Sequence, residues 1–391
     1  MPIIISLLLV YFYFTSVYNF VMSVAGWFYR VPLFDFNIDK RKFLILIPAH
    51  KEDSVIVQVA KEALNQDYPK DKFDVLVIAD HLQESTIREL QMLPILLIKL
   101  ELEESTKVKS LNIALKQYAH NYENVVVLDA DNVMEEKFLL KMNSLHAENF
   151  VAIQGRRAAK NKSNYLSFLD GLSEEINNHI LCKGSNAVGL SAALKGSGMS
   201  FEIVSLTENL SQMNSVGGFD KELELLYIQK GVKIKYASNV VVFDEKISKE
   251  SSFKNQRKRW IASQYFYLSK YFWKGFNHAF RGNISFFNSA VIRNIQLPRL
   301  VNIGLALALL LLVSILSVYF PDTNLFTNHW VVCCVLLILG VIFSIPREYW
   351  TWKLLTSLIY LPKIFLTMFL LLFNLKNANK KFIHTPHHNN D

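Results

Sequence analysis

The chain has 391 residues, of which 51% are hydrophobic, 13% aromatic and 19% charged. That balance excludes a disordered, collagen-like or coiled-coil protein, and the length holds one large catalytic-sized domain with accessories but no long repeat array. The net charge of +8, from 42 basic and 34 acidic residues, can be interpreted only once the apolar excess is located.

Met1 to Tyr29 carries no Asp, Glu, Lys or Arg, which is longer than the roughly 20 residues needed to cross a ~30 Å hydrocarbon layer. The run predicts an N-terminal transmembrane helix over 1–29. From about 40 to 260 the pattern changes to apolar runs separated by helix-like stretches. Phe43 to Ile47 ends at Pro48, Asp74 to Ala79 ends at Asp80, and Val125 to Leu128 ends at Asp129, with helices expected over 54–66 and 107–119. Buried parallel strands read this way, so a doubly wound α/β sheet is expected, with ligands beyond the carboxyl ends of its strands.

Beyond 260, aromatics alternate with Lys270 and Lys274, which reads as a helix lying in the membrane interface within an accessory segment 261–298. Between Arg299 and Arg347 the only charged residue is Asp322, in the turn Pro321-Asp322-Thr323-Asn324. A transmembrane hairpin over 299–346 follows, with spans at 300–319 and 329–346. The apolar stretch 354–375, interrupted by Pro362 and Lys363, reads as a second interfacial helix, and 347–391 closes with a basic, His-rich tail. Arg30, Lys40, Arg41 and Lys42 follow the first span, whereas the loop 321–328 has no Lys or Arg. The positive-inside rule therefore puts the middle section on the cytoplasmic side of a membrane, the cell inner membrane being the expected one. Much of the +8 lies beside the spans, so anionic lipid explains it more economically than nucleic acid. Cys182, Cys333 and Cys334 offer neither a disulfide framework nor zinc spacing.

The predicted strand ends collect Ala49-His50-Lys51-Glu52, Asp80 and Asp129-Ala130-Asp131 along one sheet edge. Two carboxylates one residue apart can share a hard divalent cation, Mg2+ or Mn2+, and leave coordination positions open for a nucleotide diphosphate. No Walker-type loop or G-x-G-x-x-G after a strand competes as a phosphate cradle.

Seven elements in one order carry a resemblance over nearly the whole chain: Ile47-Pro48-Ala49-His50-Lys51-Glu52, Ala79-Asp80, Lys109 with Ala114-Leu115, Asp129-Ala130-Asp131, Gly196-Ser197-Gly198-Met199, Asp220 to Gly231, and Gln256-Arg257-Lys258-Arg259-Trp260. The set resembles the membrane-bound glycosyltransferases of family 2, which include cellulose, chitin and hyaluronan synthases and ceramide glucosyltransferases. The resemblance implies a GT-A fold with a mixed, mostly parallel sheet, a nucleotide-sugar donor such as a UDP-sugar, a divalent metal and inversion at the anomeric carbon. It implies that Pro48, Ala49 and Glu52 hold the nucleotide, Asp80 the uracil, and Lys109 donor phosphate or ribose. Asp129 would contact ribose or sugar and assist Asp131, the metal ligand. Gly196, Ser197, Gly198 and Met199 would form the acceptor-facing loop. Gln256, Arg259 and Trp260 would close over the diphosphate and the acceptor, guanidinium matching phosphate and indole stacking on a pyranose. The alternative for Arg259 and Trp260, compatible with that role, is a basic-aromatic membrane anchor at the start of the interfacial helix.

Inverting transfer needs a carboxylate to take the acceptor proton. Counting back from Gly231 makes Asp220 the counterpart of the family's base, with Phe219 where Glu is usual; a register shifted by two nominates Glu222, and a plain helix cap would also explain Asp220. Phe243-Asp244-Glu245-Lys246 reads as a solvated turn, and His120, His146 and His179 as surface or core histidines. The expected acceptor is a polysaccharide, with a lipid glycosylated once as the alternative and a catalytically silent membrane scaffold as another. Three spans are few for a polymer channel, so a polymer would leave through a homodimer or an export partner.

Overall fold

The structure is a computed structural model and describes residues 2–215, 217–319 and 324–375. Its centre is an eight-stranded sheet: β1 (Phe43–His50), β2 (Phe73–Asp80), β3 (Leu96–Leu100), β4 (Asn124–Val127), β5 (Val133–Met134), β6 (Ala152–Ala159), β7 (Met199–Glu202) and β8 (Lys235–Asp244). The order is β3-β2-β1-β4-β7-β6-β8-β5. β3, β2, β1 and β4 run parallel, β7 is antiparallel to β4 and β6, and β6 and β8 are again parallel. The sheet is thus mixed and mostly parallel, as the apolar runs imply.

Alternation along β1 explains why an unbroken apolar run is needed. Leu44 and Leu46 face a core with Val108 and Leu111 of the helix Lys107–Tyr118. Phe43, Ile45 and Ile47 face the opposite core, with Ile56 and Val59 of Ile56–Ala63 and Leu139 of Phe138–Ala147. Successive side chains point to opposite faces, so a strand covered on both sides must be apolar throughout. Each side of the sheet then contributes a core of its own.

Among the described residues, three helices are long and apolar enough to cross a membrane: Ile5–Trp27 within Pro2–Trp27, Arg299–Tyr319, and Thr327–Ser344 within Asn324–Ser344. The first and last pack together through Phe12 and Trp330, ring centroids 5.2 Å apart, and through Ser23 and Ser344, hydroxyls 2.8 Å apart. The N-terminal helix is tied to the sheet domain by a π-helical stretch, Asn178–Gly184, whose His179 Nε2 lies 2.8 Å from the Ser23 carbonyl. Residues Trp352–Leu358 and Leu361–Leu372 are two helices bent by 52°, together long and apolar enough for a fourth span. Of the expected turn, Pro321 to Thr323 lie outside the described residues, as does the tail from Lys376 onward.

One boundary differs from expectation. A single helix, Glu250–Phe280, runs through the junction placed between 260 and 261. It has no proline and only Gly275 as a helix breaker, so nothing in the chain interrupts it. The segment carrying Arg259 and Trp260 is therefore rigidly continuous with the aromatic segment beyond it.

Candidate active site

The carboxyl ends of neighbouring strands set the first part of the site. His50 and Asp80 are paired in register at the ends of β1 and β2. Asp80 is buried, and its carboxylate meets His50 Nδ1 at 3.0 Å, His81 Nδ1 at 2.7 Å and the Leu102 amide, which donates at 3.2 Å. Burial alone would raise the carboxyl, but hydrogen bonds from Ser105, His81, Leu102 and His50 outweigh it and hold Asp80 below its ordinary value. Among the described residues this trio is the one group of three potential metal ligands, with donor atoms within 4.8 Å of one another. Those atoms are engaged with each other, so the trio reads as a clamp on Asp80. Lys51 and His81, just past the strand ends, both take left-handed φ, 58° and 56°. For non-glycine residues this conformation is costly and concentrates at functional sites. Ala49 and Glu52 are buried at the same edge.

A second cluster forms past β4. Asp129 ion-pairs with Lys107, whose ammonium also donates to the Gly196 carbonyl at 2.9 Å and lies 4.9 Å from the Phe219 ring centre. A Cβ on Gly196 would lie 4.0 Å from an Asp220 carboxylate oxygen, so the two meet across this gap. Asp129, Lys107, Gly196 and Asp220 are thus drawn together from four separate segments.

Asp131 is buried and leads into a charged network. In the amide orientation that satisfies both of its ends, Asn132 donates to Asp131 Oδ1 at 2.7 Å and Asp244 Oδ1 at 3.1 Å, while its oxygen accepts from the Ser197 hydroxyl at 2.9 Å. Asp244 is in turn held by Arg157 at 2.6 Å and Lys246 at 2.5 Å. The expected solvated turn is corrected here: Asp244 and Lys246 are buried and brace the floor beneath Asp131. The acceptor loop also divides differently from expectation. Ser197 and Met199 are buried; the Ser197 hydroxyl fixes the Asp129 amide at 2.9 Å, and Met199 begins β7. Gly198, at φ 64°, passes so close to β8 that a Cβ would lie 2.9 Å from Val242. Gly196 alone of the four is joined to Lys107 and Asp220.

The two candidate bases are separated by the helix Phe219–Gln229. Asp220 lines a cavity, and burial, the largest influence on it, raises its carboxyl above the ordinary value despite Lys221 and Lys107. Glu222 points to the long helix, where Lys270 pairs with it and the Tyr267 hydroxyl lies 3.4 Å away. Gly218 seats this helix with φ 67°, against Ser263, whose Oγ would lie 1.9 Å from any Cβ at that position.

Arg259 and Trp260 line the same cavity; Gln256 does not, and its Oε1 is buried without a hydrogen-bond partner among the described residues. Burial lowers the Arg259 guanidinium, with Asp129 the opposing charge that raises it. Trp260 is 39% exposed, with Arg257 stacked 4.3 Å from its ring centre and ion-paired to Asp170. The cavity, about 660 Å³, runs from Lys107 and Asp220 to apolar side chains of the membrane-type helices, Ile303, Val341, Ile364 and Met368 among them. Lys109 is not part of it. Its ammonium is at the surface, bonded to the Glu104 carbonyl at 3.1 Å, whereas Lys107 lines the cavity.

Residues 40–263 match the family described as glycosyltransferase like family 2. The chain belongs to that family. It is 23% identical over 277 residues to the probable glycosyltransferase YdaM of Bacillus subtilis (strain 168), covering 63% of each chain, so it spans less than two thirds of that relative's length. The mannosyltransferase PcManGT from Pyrobaculum calidifontis, solved with GDP-Man and Mn2+, shares the fold at 16% identity and a TM-score of 0.51, over 85% of this chain and 96% of that one. S. aureus TarS 1-349 in complex with UDP aligns at 17% identity and a TM-score of 0.37, over 57% and 65%.

For a family 2 glycosyltransferase of GT-A fold, the residues missed from sequence are Lys107, Arg157, Asp244 and Lys246. Lys107 had a local signal: it is the first residue of a helix capped by Thr106, whose side chain accepts from the Lys109 amide. A side chain in the first turn points back over the incoming loop, toward the sheet edge.

Proposed function

We propose that this glycosyltransferase moves a sugar from a nucleotide-diphosphate sugar, a UDP-sugar by the sequence resemblance, to a hydroxyl of a membrane lipid, with inversion. The observation that carries the lipid reading is the continuity of one cavity from Asp220 and Lys107 to the apolar helices. A purely polar acceptor has no use for that apolar wall, whereas a lipid fills it.

In the step itself, the acceptor oxygen forms a bond to the anomeric carbon as the bond from that carbon to the diphosphate oxygen breaks. Asp220 takes the hydroxyl proton, a role suited to a carboxylate whose affinity for protons is raised by burial. The nucleoside diphosphate leaves with the bonding electrons, and Arg259 and Lys107 are placed to meet its charge. Asp131 and Asp129 fit a divalent cation: a carboxylate-only donor set suits Mg2+ or Mn2+, and Asp129 is not sealed from solvent. Such an ion supplies Lewis-acid stabilisation of the leaving diphosphate. Asp80, with its histidine clamp, and Glu52 are assigned to the nucleoside end. The basic residues after the N-terminal helix support a cytoplasmic catalytic domain.

A glycan acceptor is the second reading, favoured by the half-exposed Trp260 at the cavity, whose ring face suits a pyranose. Product sizing by mass spectrometry, with the full chain in membranes and a panel of nucleotide sugars, separates the two. A single hexose-sized addition to a lipid supports the proposal; a ladder of products replaces it with polymerisation.

A further inference from the structure

The cavity beside Asp220 holds more positive charge than its own carboxylates neutralise. Eight cationic side chains and four carboxylates line it. Most of the cations are claimed: Lys107 by Asp129, Arg157 by Asp244, Lys195 by Glu174, Arg257 by Asp170 and Arg293 by Glu224. Two others are held by neutral amides. Lys221 Nζ donates to Asn294 Oδ1 at 3.1 Å, and Arg299 donates to Asn177 Oδ1 at 2.9 Å, its Nε having no partner among the described residues. No carboxylate of the described residues lies within salt-bridge distance, 4.0 Å, of either.

The placement of these two cations makes the excess sharper. Lys221 is in the first turn of Phe219–Gln229, and Arg299 is the first residue of the membrane-type helix Arg299–Tyr319. A helix N-terminus carries partial positive charge, so each cation adds to a positive field where an acidic residue would be favoured. Burial pushes the Lys221 ammonium down, and its nearest opposing charges, Glu224 and Asp220, do not restore it; Glu224 is already paired with Arg293. Withdrawing unpaired cations from water is costly, and a cavity retains them when a bound anion completes the pairing. Leu300 and Ile303, just after Arg299 on the same helix, line the apolar part.

We propose that the acceptor lipid is anionic: a phosphate in its head group is neutralised by Arg299, its hydrocarbon chain lies along the apolar helices, and its free hydroxyl faces Asp220. This rests on the lipid-acceptor reading and narrows it from any hydroxylated lipid to one bearing both a phosphate and a free hydroxyl.

The test uses the full chain in nanodiscs and native mass spectrometry. Phosphatidylglycerol is offered in competition with neutral diacylglycerol, in wild type, Arg299→Gln and Arg299→Lys, with inorganic phosphate and UDP as separate arms. Wild type should retain phosphatidylglycerol at least tenfold over diacylglycerol, Arg299→Gln should lose that preference, and Arg299→Lys should recover much of it. The nucleoside diphosphate affinity of Arg299→Gln should be unchanged. Equal retention of neutral and anionic lipid overturns the anionic head group but leaves a lipid acceptor standing. Retention of neither lipid, with a soluble glycan extended instead, removes the lipid reading itself. Weakened UDP binding by Arg299→Gln, or inorganic phosphate displacing phosphatidylglycerol at comparable concentration, overturns the proposal by assigning this cation to the donor or to free anions.

Discussion

The Lys107 ammonium bridges the Asp129 carboxylate and the Gly196 carbonyl, joining the acidic strand end to the loop opposite it. Lys109, two residues on, is bonded to the Glu104 carbonyl at the protein surface. Lys107→Gln should therefore lower kcat/KM by about 100-fold, the scale of losing a charge-stabilising donor, while Lys109→Gln stays within about threefold of wild type. Steady-state kinetics of both variants decide between the two lysines, and equal losses would remove the assignment.

Asp220 and Glu222 divide chemistry from structure in the same helix. Asp220→Asn should abolish transfer, by about 1,000-fold or more with an unchanged melting temperature, because the acceptor proton loses its base. Glu222→Gln should keep most of kcat but lower stability by about 1 to 3 kcal/mol, since it strips Lys270 of its anion. Circular dichroism melts beside activity assays test both halves.

The acid limb of the pH profile follows from the same carboxylate. Asp220 must be ionised to accept a proton, and burial holds its pKa above the ordinary 3.8, so kcat should fall on acidification at a pH above that value. Lys221 and Lys107 pull it the other way. Lys221→Gln should therefore move the limb further toward neutral pH, measured at saturating acceptor so that weaker lipid binding does not enter. A limb that stays in place would take the proton-accepting role from Asp220.

His146 gives a stability signature separate from catalysis. It is buried, with Nδ1 2.8 Å from the Phe150 carbonyl and Nε2 2.8 Å from the Ser200 hydroxyl, and burial, opposed by the Phe150 contact, lowers it from 6.5 to about 3. The unfolded chain then binds the extra proton first, so this stabilisation is complete above about pH 6.5 and is lost progressively as pH falls toward about 3. His146→Gln, which carries no titrating proton, should flatten the decline in melting temperature between pH 6.5 and 4. An unchanged slope would trace the acid sensitivity to other groups.

Strand ends and spans were legible because each depends on a local pattern: a both-sides-buried strand must be apolar, and a span must lack charge. Asp80, Asp129 and Asp131 were placed on one edge by that logic alone. Lys107 was passed over because helix orientation, not composition, decides which of two lysines meets the sheet edge. Asp244 and Lys246 read as solvent-facing, since a charged triplet looks the same in sequence whether it is hydrated or paired with Arg157 from another strand. The cavity could not be read at all. Its walls come from residues as far apart as Tyr18 and Met368, and nothing in the order of the chain announces that Arg299 and Asp220 share it.

Gly218 tests whether the seat of the catalytic helix is as tight as its geometry requires. Its φ of 67° disfavours any side chain, and a Cβ would overlap Ser263 Oγ at 1.9 Å. Gly218→Ala should destabilise by roughly 1 to 3 kcal/mol and shift Asp220, lowering kcat more than it raises donor KM. Combining it with Ser263→Gly removes the clash but leaves the backbone strain, so the double variant should recover part of the loss. No recovery would mean that backbone conformation alone sets the position of Asp220.

Metal dependence is the remaining test of the acidic edge. Chelation with EDTA should reduce transfer by about 100-fold or more, with Mn2+ or Mg2+ restoring it, because the leaving diphosphate loses its Lewis acid. Asp131→Asn should reproduce the chelated rate and resist rescue. Asp129→Asn should do more than weaken metal binding: it also frees Lys107, whose ammonium would then face Gly196 and Asp220 without its anion. That added positive charge lowers the Asp220 pKa, so Asp129→Asn, unlike Asp131→Asn, should shift the acid limb toward lower pH. Calorimetry with Mn2+ and a nucleoside diphosphate, beside pH profiles of both variants, distinguishes these roles; wild-type activity in Asp131→Asn would remove the metal from the mechanism.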